Sequence, residues 1–140
     1  MLQKAIDFAT KTLQGINDYS GKPMIEHALR MVDRVDTQDE KIIAVLHDVV
    51  EEGGCSFQEL KKEGFSQTVL EGVDVLTRRP NMKYFDYIDD ISTNAMAAKV
   101  KLAELAENKD QDRVNKLSFQ TYTLEKRLER VRKMLGADNS

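Results

Sequence analysis

Cysteine is nearly missing from this 140-residue chain, and tryptophan is missing altogether. The one cysteine, Cys55, has no partner in the chain, which excludes an internal disulfide and leads to the expectation of a reducing, cytoplasmic location. No charged-then-apolar leader and no apolar run long enough to cross a bilayer is present, so no membrane partner is expected. Surplus positive charge is lacking too. Twenty-one Lys and Arg stand against 24 Asp and Glu, a formal net charge of −3, which excludes a broadly basic surface for a nucleic-acid polymer. An anionic ligand must then be met by a local group of cations, which suits a small molecule better. Linkers, repeats and low-complexity tracts are absent as well, and the length suffices for one compact domain but not for two; residues 1–140 are read as a single domain. What remains is ordinary for a globular protein, with 41% apolar and 32% charged residues.

Apolar spacing predicts helices throughout and no strand. Leu2, Ile6, Ala9 and Leu13 recur at helical intervals before Gly15, and Pro23 opens a second helix through Met24, Ile25, Ala28, Leu29 and Val32. Thr37 and Glu40 form a capping-box pattern ahead of Ile42, Ile43, Val45, Leu46 and Val49, a segment apolar on nearly every side and therefore expected at the centre. Ser56 with Glu59 repeats the pattern for a short helix closed by Gly64. Val69, Val73 and Leu76 mark another that must stop before Pro80. Tyr84, Tyr87, Ile88 and Ile91 mark the next, and Asn94 caps an alanine-rich helix from Ala95 to Asn108. A last helix carries Leu117, Leu124, Leu128, Val131 and Leu135, a stripe that either faces the core or packs on a second copy of the chain. The expected fold class is all-α.

Imidazole chemistry is confined to His27 and His47, the chain's two histidines, each expected in mid-helix among apolar residues. One such histidine is usually a core ring bonded to a backbone carbonyl. Two of them, one followed by Asp48, shift the balance toward a metal site. Glu51 and Glu52 fall one helical turn beyond His47 and Asp48. Negative charge there opposes the helix dipole and calls for compensation.

The order His27, His47-Asp48, then Lys101-Leu-Ala-Glu104 with Asn108 resembles the HD-domain metal-dependent phosphohydrolases, closest to their small single-domain branch related to RelA/SpoT-type alarmone hydrolases. Ser20-Gly-Lys-Pro23, Gly64-Phe-Ser66, Leu76-Thr77, Tyr84 and Tyr87 extend the likeness from about Ile6 to Val114. The resemblance implies a helical HD-domain bundle that removes the 3′-pyrophosphate of ppGpp with a divalent metal, Mn²⁺ in that family. It assigns the metal to His27, His47, Asp48 and Glu104, the attacking water to Glu51 and Glu52, and a place near the nucleotide to Asn108. Glu104 and Glu52 stand where the family carries Asp. The loop Gln14-Gly-Ile-Asn-Asp-Tyr-Ser20 holds no Lys or Arg where the family supplies cations, so loose guanine recognition is expected.

Two imidazoles and two carboxylates leave coordination positions open for water, and mixed N and O ligation suits Mn, Fe or Zn. Lys101 and Arg113 are candidates to offset substrate charge, and Tyr84 to stack on a base. The leading expectation is hydrolysis of a phosphorylated nucleotide such as ppGpp. Two alternatives stand beside it: an HD nucleotidase with another phosphorylated substrate, and a catalytically weakened relative serving as a binding or assembly module.

Overall fold

The computed structural model describes residues 1–18, 20–114, 129–130 and 132–136, with the side chains of residues 111–114 outside that description. Helices follow one another as expected: α1 (Leu2–Thr12), α2 (Met24–Val32), α3 (Gln38–Leu46), α4 (Phe57–Lys62), α5 (Gln67–Leu76), α6 (Tyr84–Ile91) and α7 (Ala95–Val114). Among the described residues there is no strand, only an isolated antiparallel bridge between Asn17 and Pro23 that closes the α1–α2 loop. Pro23 is the cap of α2 rather than its first residue. Nor is any described helix long and apolar enough to cross a membrane.

Caps set the helix starts. At α3 the Thr37 hydroxyl accepts from the Glu40 N–H at 3.2 Å while Glu40 Oε1 accepts from the Thr37 N–H at 2.9 Å, the reciprocal box expected. At α4 only half of that arrangement forms, because the Glu59 carboxylate meets the Ser56 hydroxyl instead of its backbone. Asn94 accepts from the Ala97 N–H and starts α7, which runs past the expected Asn108 to Val114. Of the expected last stripe, Leu117, Leu124, Leu128 and Val131 lie outside the described residues; Leu135 packs against the core.

Helix α3 is the axis of the molecule. Ile42 to Leu46 are all buried, and α1, α2, α5 and α7 pack round them. Fully burying one such side chain is worth roughly 1.5–3 kcal/mol. Gly72 lets α5 approach closely, since a Cβ there would meet Ile43 Cδ1 at 2.6 Å. At the other end Lys41 spans back to α2, donating to the carbonyls of Val32 at 2.8 Å and Val35 at 3.0 Å.

The end of α3 departs from the sequence expectation. Periodicity carries this helix through Val49 with His47 in its middle, yet the helix stops at Leu46 and His47 is its C-cap. His47 Nδ1 donates to the Ala44 carbonyl at 2.5 Å, taking the acceptor that another helical turn would use. Residues 47–53 then run as successive turns in which the Asp48 carbonyl accepts from both Glu52 and Gly53. Asp48, Glu51 and Glu52 are therefore presented by a turn rather than by a helix face.

Candidate metal centre

Three elements bring the two histidines and Glu104 together. His27 comes from the middle of α2, His47 from the end of α3, and Glu104 from the middle of α7. One ligand atom from each lies within 4.8 Å of the others, and the imidazole centroids are 5.7 Å apart. Asp48 Oδ2 is 3.0 Å from His47 Nε2, and Glu104 Oε2 is 3.8 Å from the same nitrogen. His27, Asp48 and Glu104 also line one cavity of about 360 Å³.

The state of His47 is a test of whether these residues fit a metal. Bonding of Nδ1–H to the Ala44 carbonyl turns Nε2 toward the carboxylates. That nitrogen is buried and, although within ion-pair distance of Asp48, makes no hydrogen bond among the described residues. A buried imidazole nitrogen with two carboxylates beside it and a second imidazole opposite is a donor set of the borderline kind that first-row divalent ions take. The residues fit.

Electrostatics follow from the same crowding. Burial alone favours a neutral His47 ring, but the Asp48 carboxylate and then Glu104 outweigh it and raise the pKa to about 9 in the metal-free protein. His27 is pushed the other way, below its ordinary value, by burial and by the neighbouring His47. Asp48 stays ionised below the usual carboxylate range: burial opposes this, and the charges of His47, His27 and Lys101 prevail.

Lys101 is buried one turn before Glu104 and donates to Glu104 Oε2 at 3.3 Å, with its ammonium 5.0 Å from the centre of the Tyr87 ring. Burial works against that ammonium, yet Glu104 more than compensates and its pKa lies above the ordinary lysine value. Lys101 thus faces a ligand candidate and is not among the cavity's lining side chains. Tyr84 also stands back from the cavity, between Lys101 and Arg78, whose groups lie 5.9 and 5.6 Å from its ring centre. Glu52 and Asn108 do line it. Glu51 accepts a hydrogen bond from the Arg78 backbone N–H, and burial together with the Asp48 and Glu104 charges raises its pKa. The side chain of Arg113 lies outside the described residues.

Two groups escaped the sequence reading. Asn17, Asp18, Ser20 and Met24 complete the cavity wall, although none of them was read as a site residue from the sequence. The Asp18–Ser20 spacing is an Asx-turn signature and was the available signal. Glu107, one turn beyond Glu104, is buried and held by Arg30 and by Arg34 Nε, the latter at 3.0 Å; Arg34 also reaches Asp110. Arg30 lies in α2 and Arg34 four residues on, just past its end, but nothing local points from them to a carboxylate more than seventy residues away.

No family model matches the chain, and no curated protein matches it by sequence. Among solved structures it is similar to a metazoan ortholog of SpoT, described as hydrolysing ppGpp and playing a role in starvation responses, with a TM-score of 0.77 and 18% identity over 96% of this chain and 84% of that one. The chain shares the helical fold of that protein.

Proposed function

We propose that this protein is a divalent-metal-dependent phosphohydrolase acting on a phosphorylated nucleotide, with ppGpp and removal of its 3′-pyrophosphate as the leading substrate and reaction. The observation carrying this reading is the convergence of His27, His47 and Glu104 about a buried His47 Nε2 with Asp48 Oδ2 3.0 Å away. A fold shared with a protein described as hydrolysing ppGpp supports it. His27, His47, Asp48 and Glu104 would hold the ion, with Mn²⁺ the proposed metal. A bound divalent ion lowers the pKa of a water and polarises a phosphoryl oxygen.

The chain's own residues supply the rest. Lys101 holds the Glu104 carboxylate in place, and the Ala44 carbonyl fixes the tautomer and angle of His47. Glu52, on the cavity wall, orients the attacking water. Glu51, with its raised pKa, takes the proton. The water oxygen bonds to phosphorus, the bond from phosphorus to the 3′ oxygen breaks, and the proton passes to that oxygen, leaving a 3′-hydroxyl and pyrophosphate. Asn108 borders the nucleotide, while Tyr84 and Arg113 are proposed contacts at its edge. Among the described residues lining the cavity there is no Lys or Arg, which favours as second reading a nucleotide with fewer phosphates.

Metal analysis of the purified protein, followed by hydrolysis assays with ppGpp and nucleoside monophosphates in added Mn²⁺, tests the proposal. Metal-dependent release of pyrophosphate from ppGpp is expected. No turnover of any of these by metal-loaded protein would overturn the hydrolase reading in favour of a binding module.

A further inference from the structure

Helices α2 and α7 are joined in the chain only by way of α3 to α6, and 77 residues separate Arg30 on one from Glu107 on the other. No loop sets their register directly. Side chains do: Arg30 Nε donates to Glu107 Oε1, Arg34 Nε donates to Glu107 Oε2 at 3.0 Å, and Arg34 Nη2 donates to Asp110. Both oxygens of Glu107 are thereby held. His27 stands one turn before Arg30, and Glu104 one turn before Glu107. The contacts therefore form parallel rungs, His27 with Glu104, Arg30 with Glu107 and Arg34 with Asp110, and the first rung is a pair of ligand candidates.

Glu107 is only 2% exposed, so the clasp carries a heavy desolvation cost. A buried ion pair adds little net stability over apolar side chains of the same volume. What it supplies is geometry, because guanidinium and carboxylate fix both distance and angle. Apolar packing is a poor substitute here. Helix α7 buries Ala97, Ala98 and Ala103 among its contacts, small side chains with shallow ridges, and apolar contact has no preferred direction. A slide of α7 along α2 by a fraction of an ångström would cost such packing little, yet a metal site tolerates only about 0.2 Å in its ligand distances.

We propose that Glu107, clasped by Arg30 and Arg34, is a positioning residue that locks the register of α2 against α7 and so sets the spacing of His27 and Glu104 for a divalent ion. The inference rests on the metal-site reading above, and it concerns metal affinity and not turnover.

Chelator competition gives the Mn²⁺ affinity, and urea unfolding in chelator gives the stability of the metal-free fold, for the wild type and three variants. E107Q keeps the shape and removes the charge; Arg30 and Arg34, 33% and 31% exposed, can turn to water, so the fold should survive. Its Mn²⁺ affinity should fall about ten- to a hundredfold, the range for loss of a group that orients a ligand. R30M/E107L replaces the pair by apolar side chains. Its unfolding midpoint should match or exceed that of the wild type while its Mn²⁺ affinity falls as in E107Q, a separation that a merely structural role would not give. K99M removes the ion pair of Lys99 with Glu40, which ties the same helix to the start of α3, and should leave the affinity within twofold of the wild type. Wild-type affinity in E107Q, or an equal loss in K99M, would overturn the proposal. So would a double variant whose affinity falls only in step with its stability. If the double variant does not fold, E107Q against K99M still decides. Wild-type protein that binds Mn²⁺ but hydrolyses no nucleotide would sink the hydrolase reading and leave the clasp standing, whereas no metal uptake by the wild type would overturn both.

Discussion

His47 is where local chemistry decides most. Its Nδ1 ends α3 by taking the Ala44 carbonyl, and its Nε2 is thereby aimed at Asp48 and Glu104. One hydrogen bond therefore sets both the helix boundary and the ligand direction. The turn that follows carries Glu51 and Glu52, and neither is needed to hold a metal in the arrangement proposed. Glu51→Gln and Glu52→Gln should each lower turnover of ppGpp by about 10²-fold or more, the typical worth of general acid–base assistance, while metal content stays near that of the wild type. Asp48→Ala should lose both. Metal analysis beside steady-state kinetics decides the matter, and full Mn²⁺-dependent activity in the two Gln variants would return Glu51 and Glu52 to the role of an ordinary turn.

At the scale of elements, the 47–53 turn depends on a glycine. A Cβ at Gly53 would stand 2.7 Å from the Val49 carbonyl oxygen and 2.6 Å from Thr12 Cγ2, and the first of these is backbone that cannot swing aside. Gly53→Ala should cost about 1–3 kcal/mol in urea unfolding and weaken metal binding, because the same turn presents Asp48. Unchanged stability would mean that the turn can open without disturbing α1. Helix existence was legible in the sequence because each helix carries at least one clear signal: apolar period and a glycine stop at α1, a capping box at α3, a serine cap and Gly64 at α4, and the Asn94 cap at α7. The end of α3 was not, since Val49 continues the apolar pattern and a ring nitrogen competing for Ala44 leaves no mark on periodicity. His27, His47 and Glu104 could be put in order from motif spacing. The Glu107 cluster could not, because it depends on how α2 meets α7.

For the whole molecule, a site drawn from α2, the end of α3 and α7 ties metal binding to folding. An ion that binds the folded chain alone adds RT ln(1 + [L]/Kd), about 2.7 kcal/mol at a hundred times Kd. The pH dependence of that gain follows from His47, whose pKa rises from its ordinary 6.5 to about 9 on folding without metal. A raised pKa stabilises the metal-free fold fully below 6.5, and the contribution is lost as pH climbs toward 9. With metal bound, the ring must be deprotonated, so the ion competes with a proton at low pH and meets none above about 9. Stability in chelator should therefore fall between pH 6.5 and 8.5 while stability in Mn²⁺ holds or rises, and the gap between the two should widen. Unfolding curves at several pH values, with chelator and with Mn²⁺, measure that gap directly. Parallel curves across the range would place the ion away from His47, and a His27→Ala variant that still shows the full Mn²⁺ gain would remove α2 from the site.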